Sequence, residues 1–319
     1  MSNSNHSSQS RQYASVFELN GVPKFGQALP LALQHVVAMI VGCVTPAIIV
    51  SGVAGLNERD QVILVQAALF TSAISTLLQL FPFIRFKNFQ LGSALPVIMG
   101  ISFAYVPSMQ AIAANSDVGT ILGAQLIGGF VAIIVGLAIQ KIRVLFPPII
   151  TGTVVFTIGL SLYPTAVNYM AGGTSNPDYG SWKNWLAAFF TLAVVVGLNH
   201  FAKGFLKLAS ILVGIIAGYI FASCLGLVDF SGIQSAGYFQ LPQPLHFGLS
   251  FDPSACIAIG VLFAINSIQA IGDLSATTVG SMEREPKDKE LQGGIVMYGV
   301  TNILCSLIGG LPTATYSQN

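Results

Sequence analysis

Ile257 to Val279 reads IAIGVLFAINSIQAIGDLSATTV, 23 residues with no basic group and a single acid, Asp273. A helix needs roughly 20 apolar residues to cross a bilayer, so this stretch is long enough to span one. Asn266, Gln269, Asp273 and Thr277 follow one another at spacings of 3, 4 and 4, which puts all four on one helical face. Asp273 lies about seven residues before the loop that starts near Ser281, roughly 10 Å deep at 1.5 Å per residue. A carboxylate at that depth has to be neutralised, paired or used for coupling. The stripe reads as the lining of a water- or ligand-filled cavity, and Asp273 as a coupling residue supported by Asn266. The alternative is a helix–helix hydrogen-bond seam, which applies with most force to Asn266 and Thr277.

The rest of the chain agrees with a membrane setting. Of 319 residues, 53% are hydrophobic and 8% charged, against about 25% charged in a soluble domain. Mean hydropathy is +0.74. This composition excludes an ordinary soluble enzyme and a disordered protein. Thirteen basic against twelve acidic residues give a net charge of +1, so no basic footprint for nucleic acid exists.

Hydropathy gives nine candidate spans, at about 31–54, 61–81, 93–113, 118–140, 146–163, 184–199, 206–227, 255–280 and 293–310. The third contains Pro96, Gly100 and Pro107 and makes a poor continuous helix. Leu95-Pro96 precedes Ile101-Ser102-Phe103-Ala104-Tyr105-Val106, and Leu311-Pro312 precedes Thr313-Ala314-Thr315-Tyr316-Ser317-Gln318-Asn319. Interrupted segments in equivalent places of two halves point to the binding site of an inverted-repeat transporter. Broken backbone at membrane depth must face a cavity or other protein, and its free N–H and C=O groups can then meet a planar polar ligand.

Sidedness follows from the basic residues. Arg11, Lys24, Arg85, Lys87, Lys141, Arg143, Lys203, Lys207, Arg284, Lys287 and Lys289 fall on one side, and Arg59 and Lys183 on the other. Eleven against two predicts a cytoplasmic N-terminus. Residues 1–28 read as a disordered cytoplasmic tail. The four cysteines stand singly in apolar segments, and no His/Cys cluster suggests a metal. His35 reads as a structural partner and His200 as interfacial, while His6 and His246 carry no signal. Gly119-x-x-x-Gly123 and Gly214-x-x-x-Gly218 read as packing faces. Glu283 to Glu290, with both signs of charge, reads as a solvated loop.

Several segments together resemble the nucleobase–ascorbate transporter family, which includes bacterial xanthine and uracil permeases. They are Leu33-Gln34-His35-Val36-Val37-Ala38-Met39 with Thr45-Pro46, Ser102-Phe103-Ala104-Tyr105, and Leu145-Phe146-Pro147-Pro148 with Thr151-Gly152-Thr153. Gly272-Asp273 and Pro312-x-x-Thr315-Tyr316-Ser317-Gln318-Asn319 complete the set, in family order. The resemblance implies an all-α polytopic membrane protein with a seven-plus-seven inverted-repeat transporter fold. Short strands would lie in its third and tenth segments, and a core domain would bind substrate against a gate domain. Residues 29–228 would be the first repeat (segments 1–7). Residues 229–319 would start the second (segments 8, 9 and the beginning of 10), leaving that repeat incomplete, as expected of a fragment.

Position by position, the resemblance places Phe103 in the strand segment that meets the base. Gln269 stands where most members have a substrate-binding glutamate, and Asp273 matches an acid one turn later. Ser317, Gln318 and Asn319 match the start of the tenth-segment signature, where the Gln or Glu position bonds the base and the Asn supports it. His35 matches a histidine serving the binding core. Gln269 departs from the family carboxylate: an amide donates and accepts hydrogen bonds but carries no proton.

The reading is a secondary active symporter importing a nucleobase. A purine such as xanthine or urate is expected, because Gln269 and Gln318 can each offer a donor and an acceptor to its edge. Coupling is to H⁺ or Na⁺, in the plasma (inner) membrane, with a homodimer as a further expectation. No cofactor, metal or nucleic acid is expected, nor an enzyme activity. The alternatives are a uracil permease of the same family, an anion permease of the related fold, and a fragment that does not transport. An anion carrier would want a basic residue near the site, and none lies within the spans.

Overall fold

The computed structural model describes residues 25–86, 89–142, 148–173, 176–228 and 242–316. Ser317, Gln318 and Asn319 therefore lie outside the described residues, as does the N-terminal tail to Lys24.

The helices are α1 (Phe25–Val53), α2 (Glu58–Leu80), α3 (Val106–Asn115), α4 (Val118–Ile142), α5 (Pro148–Ser161) and α6 (Tyr163–Met170). They continue as α7 (Trp182–Phe201), α8 (Phe205–Leu208), α9 (Ser210–Cys224), α10 (Pro253–Met282) and α11 (Asp288–Ile308). Their ends obey local chemistry. Asn57 and Asp252 cap α2 and α10 by accepting the backbone N–H of Asp60 and Ala255. Gly309, at φ 91°, closes α11 in the left-handed conformation that glycine adopts most freely. Among the described residues five helices (α2, α4, α7, α10 and α11) are long and apolar enough to cross a membrane. Three of the nine expected spans are therefore not single long helices. The third is a strand, a 3₁₀ turn and α3. The fifth holds only the 14-residue α5, after which α6 starts with Pro164 in its first turn, and the seventh is the 15-residue α9 preceded by the short α8.

Strands occupy the two proline-broken segments. β1 (Ile84–Arg85) and β2 (Gln90–Leu91) form a small antiparallel pair, while β3 (Ile98–Ile101) pairs antiparallel with β4 (Thr313–Tyr316). In this second pair Ile98 faces Tyr316, Met99 faces Thr315, Gly100 faces Ala314 and Ile101 faces Thr313. Two strands alone leave both outer edges with open backbone groups, which have no water to bond in a bilayer. Side chains close them. On the β3 edge, Thr76 of α2 accepts the N–H of Met99 at 2.9 Å. On the β4 edge, Asn302 of α11 accepts the N–H of Thr313 at 2.8 Å and donates to its carbonyl at 3.1 Å. Gln79 holds the approach to β3, accepting from Ser93 N at 2.9 Å and donating to the carbonyl of Gly294 at 2.8 Å.

One apolar cluster surrounds this pair. It joins Cys43 and Val50 of α1, Leu64 of α2, Met99 and Ile101 of β3, Met109 of α3, Leu122 of α4, Phe263 of α10, Tyr298 of α11 and Ala314 of β4. Glycines let α4 and α11 touch: a Cβ on Gly299 would sit 2.6 Å from the carbonyl oxygen of Gly129. Helices α5 to α9 form a separate arm against α1 and α10. Its α7–α9 contact uses the expected Gly214–Gly218 face, where added methyls would meet Val195 and Thr191 at 2.2 and 2.0 Å. The Gly119–Gly123 face of α4 instead receives the backbone of the segment before α10, at Phe247 and Ser250.

Candidate functional site

The polar stripe of α10 faces protein. Asn266, Asp273 and Thr277 are buried and Gln269 is half-buried, whereas Ile257, Val261 and Val279 on other faces are well exposed. That division follows from the 3.6-residue period, which groups the four polar positions together and puts branched apolar side chains elsewhere. The stripe meets the strand pair directly: the hydroxyl of Thr315, on β4, donates to Oδ2 of Asp273 at 2.7 Å. Thr315 lies opposite Met99, so the acid of α10 is tied into the ribbon made by the third and tenth segments.

One turn and more along α10, aromatic groups close the site. Phe103 to Tyr105 form the 3₁₀ turn after β3, and Ser102 caps it by accepting from Ala104 N at 3.3 Å. Phe103 is half-buried and packs against the central cluster. The buried hydroxyl of Tyr105 is hydrogen-bonded to that of Tyr298 on α11. Phe263 lies between them, its ring centroid 4.9 Å from Tyr105 and 5.5 Å from Tyr298. Tyr316 reaches back from β4 and donates to the carbonyl of Ile101 at 2.7 Å.

Several oxygens in this region are left without a donor. Asn266 Oδ1, Gln269 Oε1 and Thr277 Oγ1 of the stripe are buried with no hydrogen-bond partner among the described residues, as are Gln125 Oε1 and Thr313 Oγ1. Asn266 donates one of its two amide N–H groups to the carbonyl of Leu262 at 3.2 Å. Buried oxygens of this kind cost about 1–3 kcal/mol each when left unpaired, so several on one helix face mark a polar place that a hydrogen-bonding group can occupy. No Lys or Arg lies within α10, and no group of three His, Cys, Asp or Glu able to hold a metal occurs among the described residues. The chemistry offered is neutral amide and hydroxyl groups beside one carboxylate, which suits a polar ligand able to donate and accept hydrogen bonds.

The structure thus brings Asp273 onto β4 and gathers Asn266, Gln269 and Asp273 on one inward face, with Phe103 at the end of β3. Gln318, Ser317 and Asn319 fall outside the described residues. His35 is half-buried on α1, eight residues before Cys43, whose thiol is 4.0 Å from the Tyr316 hydroxyl. That places His35 about 12 Å along the helix from the strand contact. Sequence reasoning missed Thr76, Asn302 and the Tyr105–Phe263–Tyr298 stack. A lone amide in mid-helix, as at Asn302, was the available signal.

Comparison with known proteins agrees with this architecture. Residues 26–319 match the Permease family, Xan_ur_permease. The xanthine permease of Bacillus subtilis (strain 168) is 33% identical over 302 residues, 92% of this chain and 66% of that protein. The uric acid permease PucJ of the same organism is 34% identical over 296 residues, 91% of this chain and 64% of that one. Xanthine permease XanQ of Escherichia coli (strain K12) is 30% identical over 319 residues, covering 95% and 67%. The chain spans just under two thirds of the length of the two Bacillus relatives. Among solved structures, the transmembrane domain of a cyanobacterium bicarbonate transporter, BicA, superposes with a TM-score of 0.64. That match covers 92% of this chain and 76% of the other at 16% identity, and it speaks for the fold alone.

Proposed function

The chain belongs to the permease family of nucleobase–ascorbate transporters, and from that membership and the site geometry we propose that it carries a nucleobase across the membrane as a secondary active symporter. The ligand is a purine of the xanthine or urate kind. The observation that carries this reading is the set of unpartnered buried oxygens on Asn266, Gln269 and Thr277 beside the Asp273–Thr315 bond. A xanthine or urate ring presents several N–H donors in one plane, and Asn266 and Gln269, about 4.5 Å apart along the helix axis, can both reach one such ring, whereas Thr277 lies about 12 Å beyond Gln269. Gln269 contacts the base, with Phe103 against its face and Gln318, Ser317 and Asn319 completing the site. Asp273 couples H⁺ or Na⁺ entry to substrate, with Asn266 and His35 supporting it.

The domain plan accompanies this reading. Residues 29–228 form the first repeat and 229–319 open the second. The matching roles of α2 on β3 and of α11 on β4, each closing one strand edge with a side chain, support that correspondence. The core would move against the gate while the ribbon stays with the substrate. A cytoplasmic N-terminus, the plasma membrane and a homodimer belong to the same proposal.

The test is uptake of radiolabelled xanthine by cells expressing the full chain, with urate, uracil and adenine as competitors, with and without a proton ionophore. Gln269→Ala is expected to abolish uptake while the protein stays in the membrane. Uptake equal to wild type in that variant would refute the site.

A further inference from the structure

A second polar cavity, of about 390 Å³, lies between the central bundle and the arm. Its bundle wall carries Gln61 of α2 and Gln110 of α3, and its arm wall Thr165, Asn168 and Tyr169 of α6 with Asn176 just beyond. Ile48, Gly52 and Val53 place it at the end of α1 away from Phe25. Its volume falls within the ~300–1,000 Å³ of small-ligand pockets. The lining includes no charged side chain, and its polar groups are amides and hydroxyls around one aromatic ring.

These groups are only partly used by the protein. Gln110 accepts from the Thr165 hydroxyl at 3.2 Å, which commits its oxygen and leaves its amide N–H groups to face the cavity. Asn168 accepts from Tyr179 at 2.9 Å through its oxygen, again leaving the N–H pair. Gln61 does the opposite, donating to the carbonyl of Leu56 at 3.2 Å and keeping its oxygen. Donors of Gln110 and Asn168 on opposite walls therefore stand with an acceptor of Gln61, with the Tyr169 ring alongside. Gln110 is seven residues beyond Phe103 on the same segment, about 10 Å further along the chain.

We propose that this cavity is a binding site of its own for a neutral, planar, amide-bearing heterocycle of the nucleobase class, an outer station reached before the central site. The proposal rests on the nucleobase reading given above for its choice of ligand. Because the Gln110–Thr165 hydrogen bond joins the bundle to the arm across the cavity, an occupant there bears on both walls and couples its presence to their separation.

The experiment is equilibrium binding of radiolabelled xanthine to the purified full chain in detergent. Two classes of site are expected. Gln110→Glu and Asn168→Asp, which keep shape and replace donors by acceptors, should weaken the looser class by about three- to tenfold and spare the tighter one. Thr165→Val, which frees the Gln110 oxygen without adding charge, should move the same class. A single class of site, or a looser class that none of these variants moves, overturns the proposal. Gln269→Ala serves as the separate control: it should remove the tighter class alone. If it leaves both classes in place, the central-site assignment fails, while the cavity variants still decide the outer station.

Discussion

The bundle around β3 and β4 and the arm of α5 to α9 solve the same problem in opposite ways. In the bundle, thirteen of the 21 residues of α11 are buried, and polar side chains are spent on closing backbone edges. In the arm, α6 buries no residue, α7 only Asn184, and α9 only Ser210, Gly214 and Gly218. The arm helices satisfy their backbones internally and need little from their neighbours, so they can present apolar surface outward. The bundle contains irregular backbone at depth and therefore depends on particular partners. Specific polar contacts mark where the fold is committed; smooth apolar helices mark where it is free to shift.

The sharpest way to break this contrast is Asn302→Leu. It strips the partners from both the N–H and the carbonyl of Thr313, and a cost of about 2–5 kcal/mol is expected from two buried unpaired groups. A thermal-unfolding midpoint unchanged in detergent would mean that the β4 edge does not need its side-chain partner. Next in size is Gly100→Ala. The new methyl would meet the Tyr316 ring at 2.3–2.5 Å, and overpacking of this kind costs about 1–3 kcal/mol. Adding Tyr316→Leu should recover part of the loss, measured by the same melts, and no recovery would place the strain elsewhere. The smallest effect is expected in the arm, from Gly218→Ala, at about 1 kcal/mol or less because α7 and α9 can separate. Amide hydrogen exchange should quicken in α7 and α9 alone; quickening in β4 or α11 would show that the two regions melt together.

Much of this was legible in the sequence for a simple reason. A carboxylate and two amides in an otherwise apolar helix stand out, and the 3, 4, 4 spacing fixed their common face before any coordinates. Pro96 and Pro312 announced breaks in the helices because proline cannot continue a helix, and the strands there were what the family resemblance implied. What escaped was contact across distance. Thr76 and Asn302 are single polar residues in apolar helices, and nothing local says that they face a strand edge. The approach of Gly129 to Gly299, and of Tyr105 to Tyr298, joins residues more than 150 positions apart. Helix α6, which opens where the fifth expected span ends, lay outside the expected spans because its eight residues are too short to cross a bilayer.

The ribbon of β3 and β4 joins residues 98–101 to residues 313–316, more than 200 positions further along the chain. During synthesis, the first of these strands enters the bilayer long before its mate has left the ribosome. Closing so long a loop is a late and slow event compared with forming any single helix. Through that interval the nascent chain carries a half-made edge in lipid, shielded on one side by Thr76 and bare on the other. A chain that stalled before residue 313 would have most of its helices yet leave β3 without its mate.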